Sequence, residues 1–153
     1  PDAGLQGHLR TAMEQRVGKA KVHGGVNISA CSFYSSQGRV LPFYEDRNET
    51  YIDDLLERYP DTVAIEMETS LMFDLAECAK PGYEVLAAGC AIMLAQRKSK
   101  EFLTNEMKHK METLGGQACL DALAALELPA DRVMKGPHCV WERRRSKRQR
   151  TRK

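Results

Sequence analysis

An α/β fold is what this sequence predicts, and three observations predict it. Helical apolar periodicities alternate along the chain with short apolar runs bounded by turn residues. The run Tyr83–Leu94 (YEVLAAGCAIML) is nearly continuously apolar, as a strand covered on both faces would be. The chain has 153 residues, a length suited to one domain with a real core. A hydrophobic content of 42% excludes compositional disorder, and the five cysteines form no CxxC pair, which excludes a dense disulfide scaffold.

The elements follow in order. Leu5, Leu9, Ala12, Met13 and Val17 share one face of a helix that Gly18 would stop. Val22–Ala30 has strand composition, with Gly24 and Gly25 pointing to a bulge or a close backbone approach. Ser32–Arg47 is polar and broken by Gly38 and Pro42, and reads as an ordered loop. Asn48 is a suitable N-cap for a helix through Ile52, Leu55, Leu56 and Tyr59, with Asp53 and Asp54 near its positive end and Pro60 as its stop. Thr62–Ile65 is a short buried strand. Leu71, Met72, Leu75 and Cys78 or Ala79 then mark a helix ended by Pro81-Gly82.

The length of Tyr83–Leu94 alone permits strand or helix, and the alternation around it favours a strand. Lys100–Leu126 is the longest helix expected, with Met107, Met111, Leu114, Ala118, Ala122 and Ala125 in one stripe. Gly115-Gly116 would kink it or admit a neighbour. Residues 1–128 are expected to be the folded unit. Residues 129–153 are expected to be a linker and a basic tail too charged to fold alone, with Trp141 the last ordered residue.

The formal net charge of +2 conceals an asymmetry. Glu142–Lys153 holds eight Lys/Arg against one Glu, a net of +7, which leaves −5 on residues 1–141. Such a tail is either a nucleic-acid contact or a solvated end. The four histidines lack metal-ligand spacing, no metal site is expected, and no apolar run reaches about 18 residues. With scattered cysteines and no secretory segment in view, these features predict a reducing, cytoplasmic setting away from membranes.

Two stretches carry chemistry. Val63–Met72 (VAIEMETSLM) places Glu66, Met67 and Glu68 where a strand meets a helix, and ligands of open α/β sheets gather at the carboxyl ends of strands. A carboxylate there can accept hydrogen bonds from sugar hydroxyls. It can equally be a first-turn residue favoured by the helix dipole. Ser29–Arg39 (SACSFYSSQGR) brings an aromatic, an amide and a guanidinium in Phe33, Gln37 and Arg39, which together could stack on a nucleobase and bind its polar edge. Loops contain Gln and Arg for many other reasons. Cys31 lacks a paired base in the sequence and reads as structural.

The order of the two motifs, continued through AAGCAIMLAQR and the long helix, resembles the nucleoside phosphorylase family, and within it the uridine phosphorylase branch, over about residues 20–126. That resemblance implies a three-layer α/β/α sandwich. It implies phosphorolysis, with inorganic phosphate as co-substrate and no cofactor, giving uracil and ribose 1-phosphate from uridine. Phe33 would stack near ribose and base, Gln37 would meet the pyrimidine's imide edge, and Arg39 a carbonyl oxygen. Met67 would line the ribose, Glu68 would accept from its hydroxyls, and Glu66 would belong to the same wall. Ile92 and Met93 would form the apolar side of the base pocket. Arg39 and Glu68 are the catalytic candidates, since charge grows on the leaving base and on the sugar ring.

Gly89–Lys100 carries no Asp or Glu, where a purine-directed member of the family would place an Asp, and this favours a pyrimidine. Close relatives often have Asp where Cys31 stands, which would alter a local polar network. Pro1–Gly18 resembles the family's mid-chain helix, so the chain is expected to begin within the fold, without the phosphate-binding half. It is then expected to be marginally stable or a homo-oligomer, with uncovered strand edges. Alternatives are a non-catalytic nucleoside-binding module, and a purine nucleoside phosphorylase or a nucleosidase that uses water.

Overall fold

The structure, a computed structural model, describes residues 1–132. The expected tail and Trp141 lie outside the described residues. The elements are α1 (Ala3–Val17), β1 (Val26–Ser29), α2 (Tyr51–Arg58), β2 (Thr62–Glu66), α3 (Thr69–Glu77) and α4 (Asn105–Ala125), with short 3-10 turns at Lys19–Lys21 and Ser35–Gln37. The fold is α/β, built from a helix pair and a small parallel sheet.

Helix α1 starts at Asp2, whose carboxylate accepts the Leu5 amide at 2.8 Å, and stops at Gly18, whose φ of 92° leaves the helical region. Its face of Leu9, Ala12 and Met13 packs on Ala118, Cys119 and Ala122 of α4, with Ala88 joining them. Small residues at this contact let the two helix axes approach closely; Ala118 is 0% exposed. Gly115 lies in the same contact, where a Cβ would meet Met13 Cε at an ordinary 3.9 Å. Helix α4 itself begins at Thr104, whose hydroxyl accepts the Met107 amide at 3.2 Å.

Strands β1 and β2 run parallel, with Ser29 paired to Glu66 and a register irregularity between Val26 and Asn27. Gly25 precedes it, and any Cβ there would fall 2.5 Å from Val63 Cγ1 and 2.6 Å from the Asp61 carbonyl oxygen, so the close approach expected of this glycine is present. Helix α2 begins three residues after Asn48, which is not its cap. Thr50 holds that position without a capping side-chain bond, and the Asn48 amide instead donates to the carbonyls of Ser35 and Arg39 at 3.2 and 3.3 Å.

The third expected strand, Tyr83–Leu94, does not form. Its backbone is occupied elsewhere: the Asp2 amide donates to the Ala87 carbonyl at 2.7 Å, and the Gln6 side chain both accepts from and donates to Gly89, at 3.1 and 3.2 Å. On the other side, a Cβ at Gly89 would lie 3.1 Å from Thr69 Cγ2 and 3.5 Å from Phe73 Cζ. The segment therefore runs between α1 and α3, held by a glutamine where a strand would be held by a neighbouring strand.

Candidate functional site

Because β1 and β2 are parallel neighbours, both carboxyl ends point the same way, and the two motifs leave the sheet side by side. The Ala30 amide donates to the Glu66 carbonyl at 2.7 Å, extending the pairing to the first residue of the loop. Ser32 and Ser36 then close that loop on itself: the Ser32 amide donates to Ser36 Oγ at 2.8 Å and the Ser36 amide to Ser32 Oγ at 3.1 Å. The 3-10 turn that follows ends at Gly38, with φ 62°, where a Cβ would meet Ile52 Cγ1 at 2.8 Å. Glycine is required twice over, for the left-handed backbone and for the close seat on α2.

This folding buries Gln37 to 4% exposure. Its Oε1 accepts from Arg97 Nη2 at 2.6 Å, so the amide has a fixed sense and presents its NH2 as the remaining donor. Arg39 lies across Phe33, its guanidinium carbon 3.9 Å from the ring centroid, and Phe33 meets Tyr34 edge-on at 5.2 Å. The Arg39 Nε is buried without a partner among the described residues. Burial lowers the Arg97 pKa, and the like charge of Arg39 lowers it further, so two guanidiniums share one small volume. A group able to accept several hydrogen bonds and carry negative charge suits that place.

At the same end of the sheet, the carboxyl end of β2 is organised around Glu66. One carboxylate oxygen accepts from Ser29 Oγ, and the other accepts the amides of Glu68 and Thr69, both at 2.7 Å. Ser29 Oγ in turn accepts the Ser70 amide at 2.9 Å. Burial alone would raise the Glu66 pKa, but these hydrogen bonds outweigh it and hold the pKa down at about 2. Glu66 thus caps α3 and ties it to β1. Glu68 stands at the N-cap position of α3, exposed, and among the described residues its carboxylate accepts only the Met67 amide, at 3.1 Å. Met67 is partly exposed beside it.

Ile92 and Met93 are both partly exposed, and Ile92 Cδ1 lies 3.9 Å from where a Cβ on Gly115 would sit, so it leans on α4. Beyond them the chain turns back at Lys98–Lys100 through the Ala95–Phe102 bridge. Lys98 Nζ pairs with Asp53 Oδ1 of α2 at 2.6 Å. This hairpin presents Arg97 to Gln37. A shallow surface groove of about 660 Å3 on α2, lined by Tyr51, Asp54, Leu55, Glu57, Arg58 and Tyr59, shares none of these residues.

The structure thus joins Phe33, Gln37 and Arg39 through direct or shared contacts, and sets Glu66, Met67 and Glu68 at the adjoining strand end. Sequence reasoning missed Arg97, Ser29 and Gln6. Arg97 carries the signal already noted at Glu66: a charge at the carboxyl end of an apolar run. Ser29 and Gln6 act through long-range pairing that no local pattern contains. Among the described residues, no three His, Cys, Asp or Glu side chains are grouped to hold a metal ion, and no helix is long and apolar enough to cross a membrane.

Comparisons with known proteins bear on this arrangement. The family model described as Phosphorylase superfamily matches residues 1–126. A solved structure from a structural and catalytic study of two diverse uridine phosphorylases in the oomycete Phytophthora capsici is similar, with 27% sequence identity and a TM-score of 0.69. The match covers 82% of this chain and 48% of that one, so this chain spans about half the length of that relative. A search of the curated proteins found no match.

Proposed function

The chain belongs to the phosphorylase superfamily, and from that premise we propose that the complete protein is a nucleoside phosphorylase acting on uridine with inorganic phosphate. The observation that carries the pyrimidine reading is the buried amide of Gln37, fixed by Arg97 beside the Arg39–Phe33 pair. A 2,4-dioxo pyrimidine offers carbonyl oxygens to such donors, and the absence of Asp or Glu from Gly89–Lys100 leaves no acid there to serve a purine ring nitrogen.

In this reading a phosphate oxygen forms a bond to the anomeric carbon as the bond from that carbon to the base nitrogen breaks. The bonding pair departs with the base and spreads onto its carbonyl oxygens, where Arg39 and the Gln37 NH2 bind the transition state more tightly than the neutral nucleoside. Arg97 is a positioning residue that holds Gln37 in the donating sense. Phe33 stacks against base and ribose while keeping Arg39 in place. Glu68, with its carboxylate turned outward, accepts from the ribose hydroxyls and stabilises positive charge on the ring, and Met67 lines the sugar. Glu66 supports that wall as the cap of α3. Ile92 and Met93 supply the apolar side of the base pocket. Phosphate is the co-substrate, no cofactor takes part, and no described residue is assigned to holding phosphate.

The test follows uracil release from uridine in phosphate buffer. Gln37→Ala in the complete protein should remove the preference for uridine over inosine, whereas unchanged selectivity would take Gln37 out of the site. A second reading, in which the protein binds nucleoside without phosphate chemistry, makes a different prediction. Calorimetry separates the two: uridine affinity indifferent to phosphate supports the module, and phosphate-dependent affinity with turnover supports the enzyme.

A further inference from the structure

Cys90 lies in the segment between α1 and α3, and Cys119 lies on the buried side of α4. Their sulfurs are 4.0 Å apart, although the residues are 29 positions apart in sequence. The approach is fixed on both flanks. Gly89 is clamped by the Gln6 amide through two hydrogen bonds, and Ile92 rests against Gly115, one turn of α4 before Cys119. Ala118, next to Cys119, is fully buried in the α1–α4 contact, so the helix side of the pair is equally fixed. Cys90 is exposed to solvent and Cys119 partly so, which gives a small oxidant access to the pair. Cys31 and Cys78, by contrast, have no cysteine partner among the described residues.

We propose that Cys90 and Cys119 form a redox-responsive dithiol, which low-molecular-weight disulfides such as oxidised glutathione convert to an intramolecular disulfide that fastens the Tyr83–Leu94 segment to α4. The step balances. The first of the two thiols to lose its proton attacks one sulfur of oxidised glutathione, expels one glutathione thiolate and leaves a mixed disulfide. The second loses its proton and attacks the protein sulfur of that mixed disulfide, forming the Cys90–Cys119 bond and expelling the second glutathione thiolate. The two expelled thiolates take up the two protons. The protein loses two electrons and two protons, and glutathione disulfide gains them.

A side-chain rotation that closes the sulfur gap by about 2 Å suffices, since disulfide sulfurs bond at roughly 2.05 Å. Partial desolvation of its sulfur against α4, and then the neighbouring Cys119, push the Cys90 thiol up to about 11. The proposal is independent of the nucleoside reading, because it concerns only how this segment is held.

The experiment treats the full chain with oxidised glutathione, blocks remaining thiols with iodoacetamide and maps peptides by mass spectrometry without reduction. The expected result is a dominant linked peptide joining Cys90 and Cys119, with the loss of two hydrogen atoms. It should vanish in Cys90→Ser and in Cys119→Ser, and persist when Cys31, Cys78 and Cys139 are all changed to serine. Amide exchange across residues 83–94 should slow on oxidation in that triple variant. Glutathione adducts at Cys90 or Cys119 without linkage, or links spread evenly over all five cysteines, would overturn the proposal. Should either single variant unfold, as circular dichroism would show, the triple variant leaves the pair and its surroundings intact and decides the matter alone.

Discussion

At Glu66, burial and hydrogen bonding pull the acidity in opposite directions, and hydrogen bonding wins. A carboxylate with its pKa held near 2, against an ordinary 4.5, contributes stability that is fully present above about pH 4.5 and is lost as the pH falls through about 2. Glu66→Gln should therefore destabilise the protein at pH 7 by about 1–2 kcal/mol, the cost of losing a good helix cap. Urea denaturation should show the wild type converging on the variant as the pH falls through that window, and parallel curves would exclude the cap role. Gln37 makes a different residue-scale prediction. If Arg97 fixes its amide, Arg97→Ala should weaken discrimination between uridine and inosine about tenfold or more in the complete protein, the effect of losing one charge-assisted hydrogen bond of about 1.5–3 kcal/mol. Arg97→Lys should rescue it poorly, because a lysine cannot reproduce the planar donor geometry. Selectivity equal to wild type in both variants would leave the Arg97–Gln37 contact without a part in recognition.

The element with the largest gap between sequence and structure is Tyr83–Leu94. Its composition is that of a buried strand, yet strand identity is conferred by a neighbour's hydrogen bonds, and here those bonds come from Asp2 and from Gln6 on α1. A glutamine 83 residues distant leaves no trace in a local pattern. The end of α1, by contrast, was legible because its signal is local, a glycine with positive φ, while the Asp2 cap at its start was not read from the sequence. β1 and β2 were legible from composition, and the close approach at Gly25 from the glycine pair preceding β1. Asn48 misled because an asparagine can cap a helix through its oxygen or close a loop through its NH2, and here its NH2 is used, on Ser35 and Arg39, before α2 begins. Gln6→Ala should release the segment by about 1–3 kcal/mol, two hydrogen bonds at ordinary net worth. Hydrogen exchange at Gly89 should accelerate by the corresponding factor while α4 amides hold their rates, and an unchanged Gly89 rate would show that the glutamine is not what holds it.

For the whole molecule, the core is narrow. Among the described residues, Leu5, Leu9, Ala12, Ala30, Ala118 and Ala122 are the buried apolar ones, while Val40, Leu71, Leu75, Phe43 and Tyr44 stand well exposed. With alanines at the centre of the α1–α4 contact, Ala118→Leu should force the helices apart and cost about 1–3 kcal/mol, read as a lower Tm; an unchanged Tm would mean the contact is looser than its 0% exposure implies. Apolar exposure on this scale favours self-association, and we propose a homo-oligomer whose sedimentation coefficient rises with concentration; a constant monomer value would refute it. Residue pattern alone offered two separate motifs and only the resemblance joined them, because their adjacency depends on which strands are neighbours. Ser29 is where that joining is made: it donates to Glu66 at the end of β2 and accepts the Ser70 amide at the start of α3, immediately before the loop that carries Phe33 and Gln37. One hydroxyl thus acts as a spacer gauge between the part that would read the base and the part that would read the sugar. If the proposed reading holds, the span from base to sugar in a nucleoside is what this hydroxyl sets the two motifs apart to match.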